Sequence, residues 1–251
     1  MSVAPTSSSE IWQVAGSSTM RVPLNEAGVL RGDIEPAIAL DGLSGQAVAA
    51  WQYWDGQDFE IAISTCLAPS WTTPALLTDD TTNDTRPSVS VGADGAIGVS
   101  WIKTGSPNVV KYREFQPGIG WSPVIDVNSE PATSAAPALS LSGSTPRIAY
   151  VEDHGPAGIK LVVSSGTLPD PWPSVFEPEI IAQLNVGVDP EPELFAGSDR
   201  LVATWIDSGA HIGFAKRANG VWSAPEYEPY AGATDLGRAR LRAKVRALRA
   251  P

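Results

Sequence analysis

From Pro87 to Asn128 apolar and polar residues alternate in short runs broken by turns. Val89 and Val91 alternate with Ser88 and Ser90, and Gly92-Ala93-Asp94-Gly95 then turns the chain. Ile97, Val99 and Trp101 alternate with Ala96, Gly98 and Ser100. After Gly105-Ser106-Pro107 come Val110, Tyr112 and Glu114 on one parity. Gly118 to Gly120 leads into Trp121-Ser122-Pro123-Val124-Ile125. A period of two marks a strand whose alternate side chains share one face. The stretch therefore predicts four short antiparallel strands, A to D.

The same pattern is written four times. Pro36, Pro87 and Pro137 open strand A, with Pro190 or Pro192 in the fourth copy. Trp51, Trp101, Tyr150 and Trp205 close strand B. Trp71, Trp121, Trp172 and Trp222 open strand D at spacings of 50, 51 and 50. A four-stranded unit at this period is the sign of a β-propeller blade, which buries its faces only by stacking on other blades. The fold class is all-β, with whole blades at about 35–79, 86–128, 136–182 and 190–230.

Residues 1–9 read as a disordered start. Residues 10–25 repeat the phase of strands C and D without A and B, because Met20 and Pro23 each lie 51 residues before Trp71 and Pro74. The spacing from a strand-D Trp to the next strand-B aromatic is 29 to 33 residues, and 29 residues separate Trp222 from Pro251. That count predicts a five-bladed ring whose last blade is shared between the two termini, leaving no open edge. Residues 231–251 are then closing strands. Composition favours a helix instead, since Ala, Leu, Arg and Lys fill the segment.

Charge divides the chain. The net charge is −11, but residues 235–251 hold six cations against Asp235, leaving −16 on residues 1–234. A body so acidic should repel nucleic acid and anionic membranes. The basic segment, with Arg238, Arg240, Arg242, Lys244 and Arg246, could dock an acidic protein partner. Cys66 is the only cysteine, so no internal disulfide and no cysteine-built metal site is possible. Met1 to Glu10 lacks the basic and apolar regions of a signal peptide, and no run reaches membrane-spanning length. These features predict a soluble chain that is cytoplasmic or released by a non-classical route.

The motif Pro-x-apolar-x-apolar, Gly turn, apolar-x-apolar-x-Trp, then Gly-x-Trp-Ser-x-Pro resembles the repeats of bacterial sialidase-like and lectin-like β-propellers. The resemblance covers roughly 10–230, and five blades of this length also look like the small sugar-binding propellers of the tachylectin kind. It implies a carbohydrate ligand. Sialidases carry an Asp-box, Ser-x-Asp-x-Gly-x-Thr-Trp, which no repeat here contains.

Candidate chemistry gathers in the loops after strand B. Trp54 has no aromatic counterpart in the other copies and lies between Tyr53 and Asp55, a set that could stack and hydrogen-bond a sugar. His154 and His211 lie in the same loop of later copies, beside Asp153 and near Asp207. Two histidines in different blades fall short of the three or more converging ligands of a metal site, so no metal is expected. No phosphate loop, nucleophile elbow, His-Glu-x-x-His or EF-hand pattern calls for a cofactor. Asp55, Glu152, Asp153 and Asp207 could supply a glycosidase carboxyl pair, but three of them share a repeat phase. The balance of the sequence is therefore against an enzyme and for a non-catalytic, lectin-like binding propeller. The alternatives are an assembly module of a multi-protein particle or virion, docking through its basic tail, and a small glycoside hydrolase.

Overall fold

The computed structural model describes residues 12–14, 21–23, 33–41, 44–67, 70–92, 94–142, 145–167, 175–185, 189–196, 200–207 and 211–229. The expectations for 1–9, for Trp172 and for the basic segment 231–251 fall outside these residues. The chain begins with a hairpin of β1 (Trp12–Val14) and β2 (Arg21–Pro23). Blade one holds β3 (Ile34–Leu40), β4 (Ala47–Trp54), β5 (Phe59–Leu67), β6 (Ser70–Trp71) and β7 (Ala75–Leu76). Blade two holds β8 (Asp84–Val91), β9 (Ile97–Lys103), β10 (Val109–Gln116), β11 (Gly120–Trp121) and β12 (Ile125–Asp126). Blade three holds β13 (Ala138–Ser142), β14 (Thr145–Asp153), β15 (Ile159–Thr167) and β16 (Val175–Leu184). Blade four holds β17 (Glu193–Ala196), β18 (Arg200–Asp207), β19 (His211–Ala218), β20 (Val221–Trp222) and β21 (Glu226–Pro229). Each blade is an antiparallel meander in chain order. The architecture is all-β and propeller-like. No helix among the described residues is long and apolar enough to cross a membrane.

In blades one, two and four the outer strand is split in two, and the hydroxyl after its Trp explains the break. The Ser122 hydroxyl accepts from the Glu114 N–H at 3.0 Å and donates to the Pro123 carbonyl at 2.7 Å. Ser223 does the same between Lys216 and Ala224, and the Thr72 hydroxyl accepts from Thr65 N–H. A side chain thus replaces one ladder acceptor at the break, with a Pro one or two residues further on (Pro74, Pro123 and Pro225). Blade three lacks this arrangement and has a continuous ten-residue outer strand.

The blades stack in chain order, and the repeated aromatics form the joints. Trp101 packs with Val48, Ala50 and Ile61 of blade one; Tyr150 with Ile102, Val110 and Tyr112 of blade two; Trp205 with Ala149, Val151 and Leu161 of blade three. All three aromatics are buried, each burying a large apolar area. Polar positions of the alternation are also used. The Ser88 and Ser90 hydroxyls accept the N–H groups of Leu139 and Leu141, at 3.1 and 3.0 Å, so β8 satisfies the edge of β13 in the next blade. First strands meet first strands (β3 with β8, β8 with β13, β13 with β17), which places them innermost, around the axis.

Candidate functional site

In an up-and-down blade the start of the first strand and the loop after the second lie at the same end. Two groups of charged residues occur there. The first comes from a motif not singled out in the sequence reading: Asp33-Ile34-Glu35-Pro36, Asp84-Thr85-Arg86-Pro87 and Asp189-Pro190-Glu191-Pro192. The third blade has Ser134-Ala135-Ala136-Pro137 instead. Glu35, Arg86 and Glu191 take φ of 50°, 54° and 38°, left-handed values that cost a non-glycine residue about 1 kcal/mol or more. At Glu35 and Arg86 the strand register shifts, so each residue is a bulge that re-aims its side chain. Arg86 Nη1 reaches Asp189 Oδ2 at 3.0 Å, joining blade two to blade four past blade three. Glu35, Asp189 and Glu191 are exposed, and Glu35 Oε2 accepts from Gln52 Nε2 at 2.5 Å.

The acids of the same motif behave differently from one another. Asp84 is buried, and its Oδ1 accepts from the indole N–H of Trp101 at 2.8 Å. Burial pushes its carboxyl up to about 7, although the Lys103 charge and the Trp101 hydrogen bond pull the other way. Lys103 itself pairs with Asp80. Asp33 is also buried, whereas Asp189 is turned out to Arg86.

The second group lies in the hairpin between β4 and β5. Asp55 Oδ1 accepts from the Gln57 and Asp58 N–H groups at 2.6 and 3.0 Å, and Asp55 N–H bonds the Asp58 carbonyl. Gly56, at φ 112°, makes the turn possible. This brings one carboxylate oxygen each of Asp55, Asp58 and Glu60 within 4.8 Å of one another. Burial, with Asp55 and Asp80 adding to it, pushes Asp58 up, and burial does the same to Glu60.

The residues singled out in the sequence fall in three blades. Trp54 is 9% exposed and meets Phe59 edge-on at 5.1 Å. Its ring belongs to the blade and is not an open platform for a sugar. Tyr53 is half-buried, packed against the Trp51 cluster. Asp55 is exposed and shapes its own turn. His154 Nε2 lies 3.0 Å from Glu152 Oε2, and Glu152 Oε1 accepts from the Ser129 and Glu130 N–H groups, so Glu152 anchors a loop. Asp207 accepts from Asn185 Nδ2 at 3.2 Å and lies across the ladder from exposed His211.

Comparison with known proteins bears on the fold alone. No family model matches the chain, and no curated protein does. Solved structures match across most of it. A Dyadobacter fermentans protein of unknown function is similar at TM-score 0.59 and 12% identity, over 81% of this chain and 71% of the other. A Hadza microbial sialidase is similar at TM-score 0.53 and 10% identity, over 80% of this chain and 47% of the other. A xylan β-1,4-xylosidase from Bacillus halodurans is similar at TM-score 0.50 and 14% identity, over 82% of this chain and 44% of the other. The chain thus spans less than half the length of either enzyme. These likenesses correct one expectation. The balance against an enzyme does not stand, because glycosidases share the fold and the three-carboxylate cluster adds acidic groups that could do chemistry.

Proposed function

We propose that the chain is a propeller glycoside hydrolase acting at the axial end of its blades. The observation that carries this reading is the set of left-handed residues Glu35, Arg86 and Glu191 at one repeat position. Glycine would hold that conformation without cost. Charged side chains there are best explained by what they do at the axis. A glycosidase needs two carboxyl groups flanking the bond, one to protonate the leaving oxygen and one to attack or to activate water. Glu35, Asp189 and Glu191 supply exposed carboxylates, and the fork of Arg86 can hold a sugar hydroxyl or carboxylate. The fold shared with proteins titled sialidase and xylosidase supports a sugar as the substrate class.

The test is hydrolysis of a panel of aryl glycosides, covering pentoses, neutral hexoses and sialic acid. The wild type should release aglycone from at least one class. Glu35→Gln or Glu191→Gln should lower kcat by roughly 100-fold or more, the usual scale for losing an acid or base. No turnover by the wild type, or full turnover in both variants, would remove the reading.

The ring itself supports a further part of the proposal, a fifth blade between blades four and one that contains β1 and β2. Two blade faces lie outside the three joints described: that of Trp51 in blade one, and that of Val202, Ile212 and Phe214 in blade four. Both are buried, as a fifth blade would leave them. Removing residues 1–24 should shift tryptophan emission to the red as Trp51 meets water, and should lower Tm. An unchanged spectrum and Tm would exclude the shared blade.

A further inference from the structure

Among the described residues, several buried carboxylates elsewhere have donors, although Asp33 Oδ1 has none. Glu114 accepts from the Tyr112 hydroxyl at 2.5 Å and from Gln116. Glu152 accepts from two backbone N–H groups, and Asp84 from an indole. Asp58 is different. It is 7% exposed, and neither of its carboxylate oxygens has a hydrogen-bond partner. Glu60, wholly buried, has one oxygen on the Asp80 N–H at 2.7 Å and leaves Oε2 without a partner. A buried carboxylate with nothing donating to it is strongly unfavourable unless it is protonated, is paired or coordinates a cation.

We propose that Asp55, Asp58 and Glu60 bind a calcium ion in the β4–β5 hairpin. Their oxygens lie within 4.8 Å of one another, and two oxygens each about 2.4 Å from one Ca²⁺ can be no further apart than that. The donors are all carboxylate oxygens, hard ligands that suit calcium better than zinc. One ion would supply the missing partner for both oxygens of Asp58 and for Glu60 Oε2, and waters would complete the shell. Lys103, whose charge acts on Asp58, is already held by Asp80. The site uses residues of one hairpin of blade one, none of which is Glu35, Arg86 or Glu191. It goes beyond the glycosidase reading and stands or falls separately from it.

The experiment uses the full chain, stripped with EDTA. Terbium should bind and luminesce on tryptophan excitation, because Trp54 directly precedes Asp55, and calcium should displace it. Thermal melting in about 5 mM calcium, above the range of the weaker natural sites, should raise Tm by several degrees over EDTA. Asp58→Asn should reverse the order: its Tm in EDTA should exceed the wild type's, because a buried charge is gone, and calcium should no longer raise it. Exposed Asp55→Asn provides the same readout if the Asp58 variant fails to fold, with loss of the calcium response expected. No terbium signal and equal wild-type melts would overturn the site, as would a full calcium shift in a folded Asp58 or Asp55 variant. A magnesium shift as large as calcium's would overturn the choice of ion.

Discussion

Gly213→Ala should strongly destabilise blade four. Gly213 lies opposite Trp205 in the β18–β19 ladder, and a Cβ built on it would lie 2.1 Å from Cε2 and 2.3 Å from Nε1 of the indole. The ring cannot step aside. Trp205 is fully buried, packed on one side against Ala149, Val151 and Leu161 of blade three, and it meets Tyr227 edge-on at 6.3 Å. Close packing turns such an overlap into strain on both blades. Overpacking of this kind costs about 3 kcal/mol or more, or roughly 10 °C in Tm for a chain of this size. Trp51 and Trp101 face Ala62 and Lys111 across their ladders, so the glycine is a requirement of blade four alone. Trp205→Phe removes the atoms nearest the new methyl. The double variant should therefore be more stable than the two single losses added together, a coupling expected only of residues in contact. A melt of Gly213→Ala within 2 °C of the wild type would contradict this account.

That example shows what the sequence could and could not tell. Alternation and turn residues located the strands, and the repeated aromatics at 51, 101, 150 and 205 stood out because each blade joint needs one large ring. Which partner makes room for each ring is a cross-strand matter, and no linear pattern writes it. Trp54 is buried for a related reason. A blade is covered on both faces, so an aromatic at either parity of its inner strands ends up inside. β4 simply runs on to Trp54, which pairs with Phe59. The axial residues were hidden because the prolines at 36, 87 and 192 had been read only as strand starts. The residue before each is left-handed, a conformation sequence gives no reason to expect of Glu or Arg. The Asp58 and Glu60 oxygens converge only once the Asp55 turn has formed, and their spacing of two matches the strand alternation that usually places an acid in water.

Asp84→Asn should stabilise the protein at pH 8 and leave it nearly unchanged at pH 4. Asp84 is buried, with Lys103, Asp80 and Glu60 as the charges acting on it, and burial dominates. Burial pushes its carboxyl up to about 7 in the folded chain, from an ordinary aspartate value of 3.8. Between those values the folded state holds a proton that the unfolded state has lost, so stability falls as pH rises from about 4 to about 7. A rise of this size corresponds to about 4 kcal/mol, an upper bound because surrounding groups relax. The amide of Asn can still accept from the Trp101 indole, so the variant loses the charge and keeps the hydrogen bond. Urea midpoints at pH 4, 6 and 8 should show the wild type falling while Asp84→Asn falls less. Parallel profiles would mean that Asp84 is not the group responsible. A residue that destabilises its own fold at neutral pH is tolerated where the charge has a use. Asp84 opens the motif that carries Arg86 to the axis. If the stabilised variant also hydrolyses glycosides more slowly, the buried acid contributes to the axial site. If activity is untouched, Asp84 only fastens blade two, and the chemistry rests on Glu35, Asp189 and Glu191 alone.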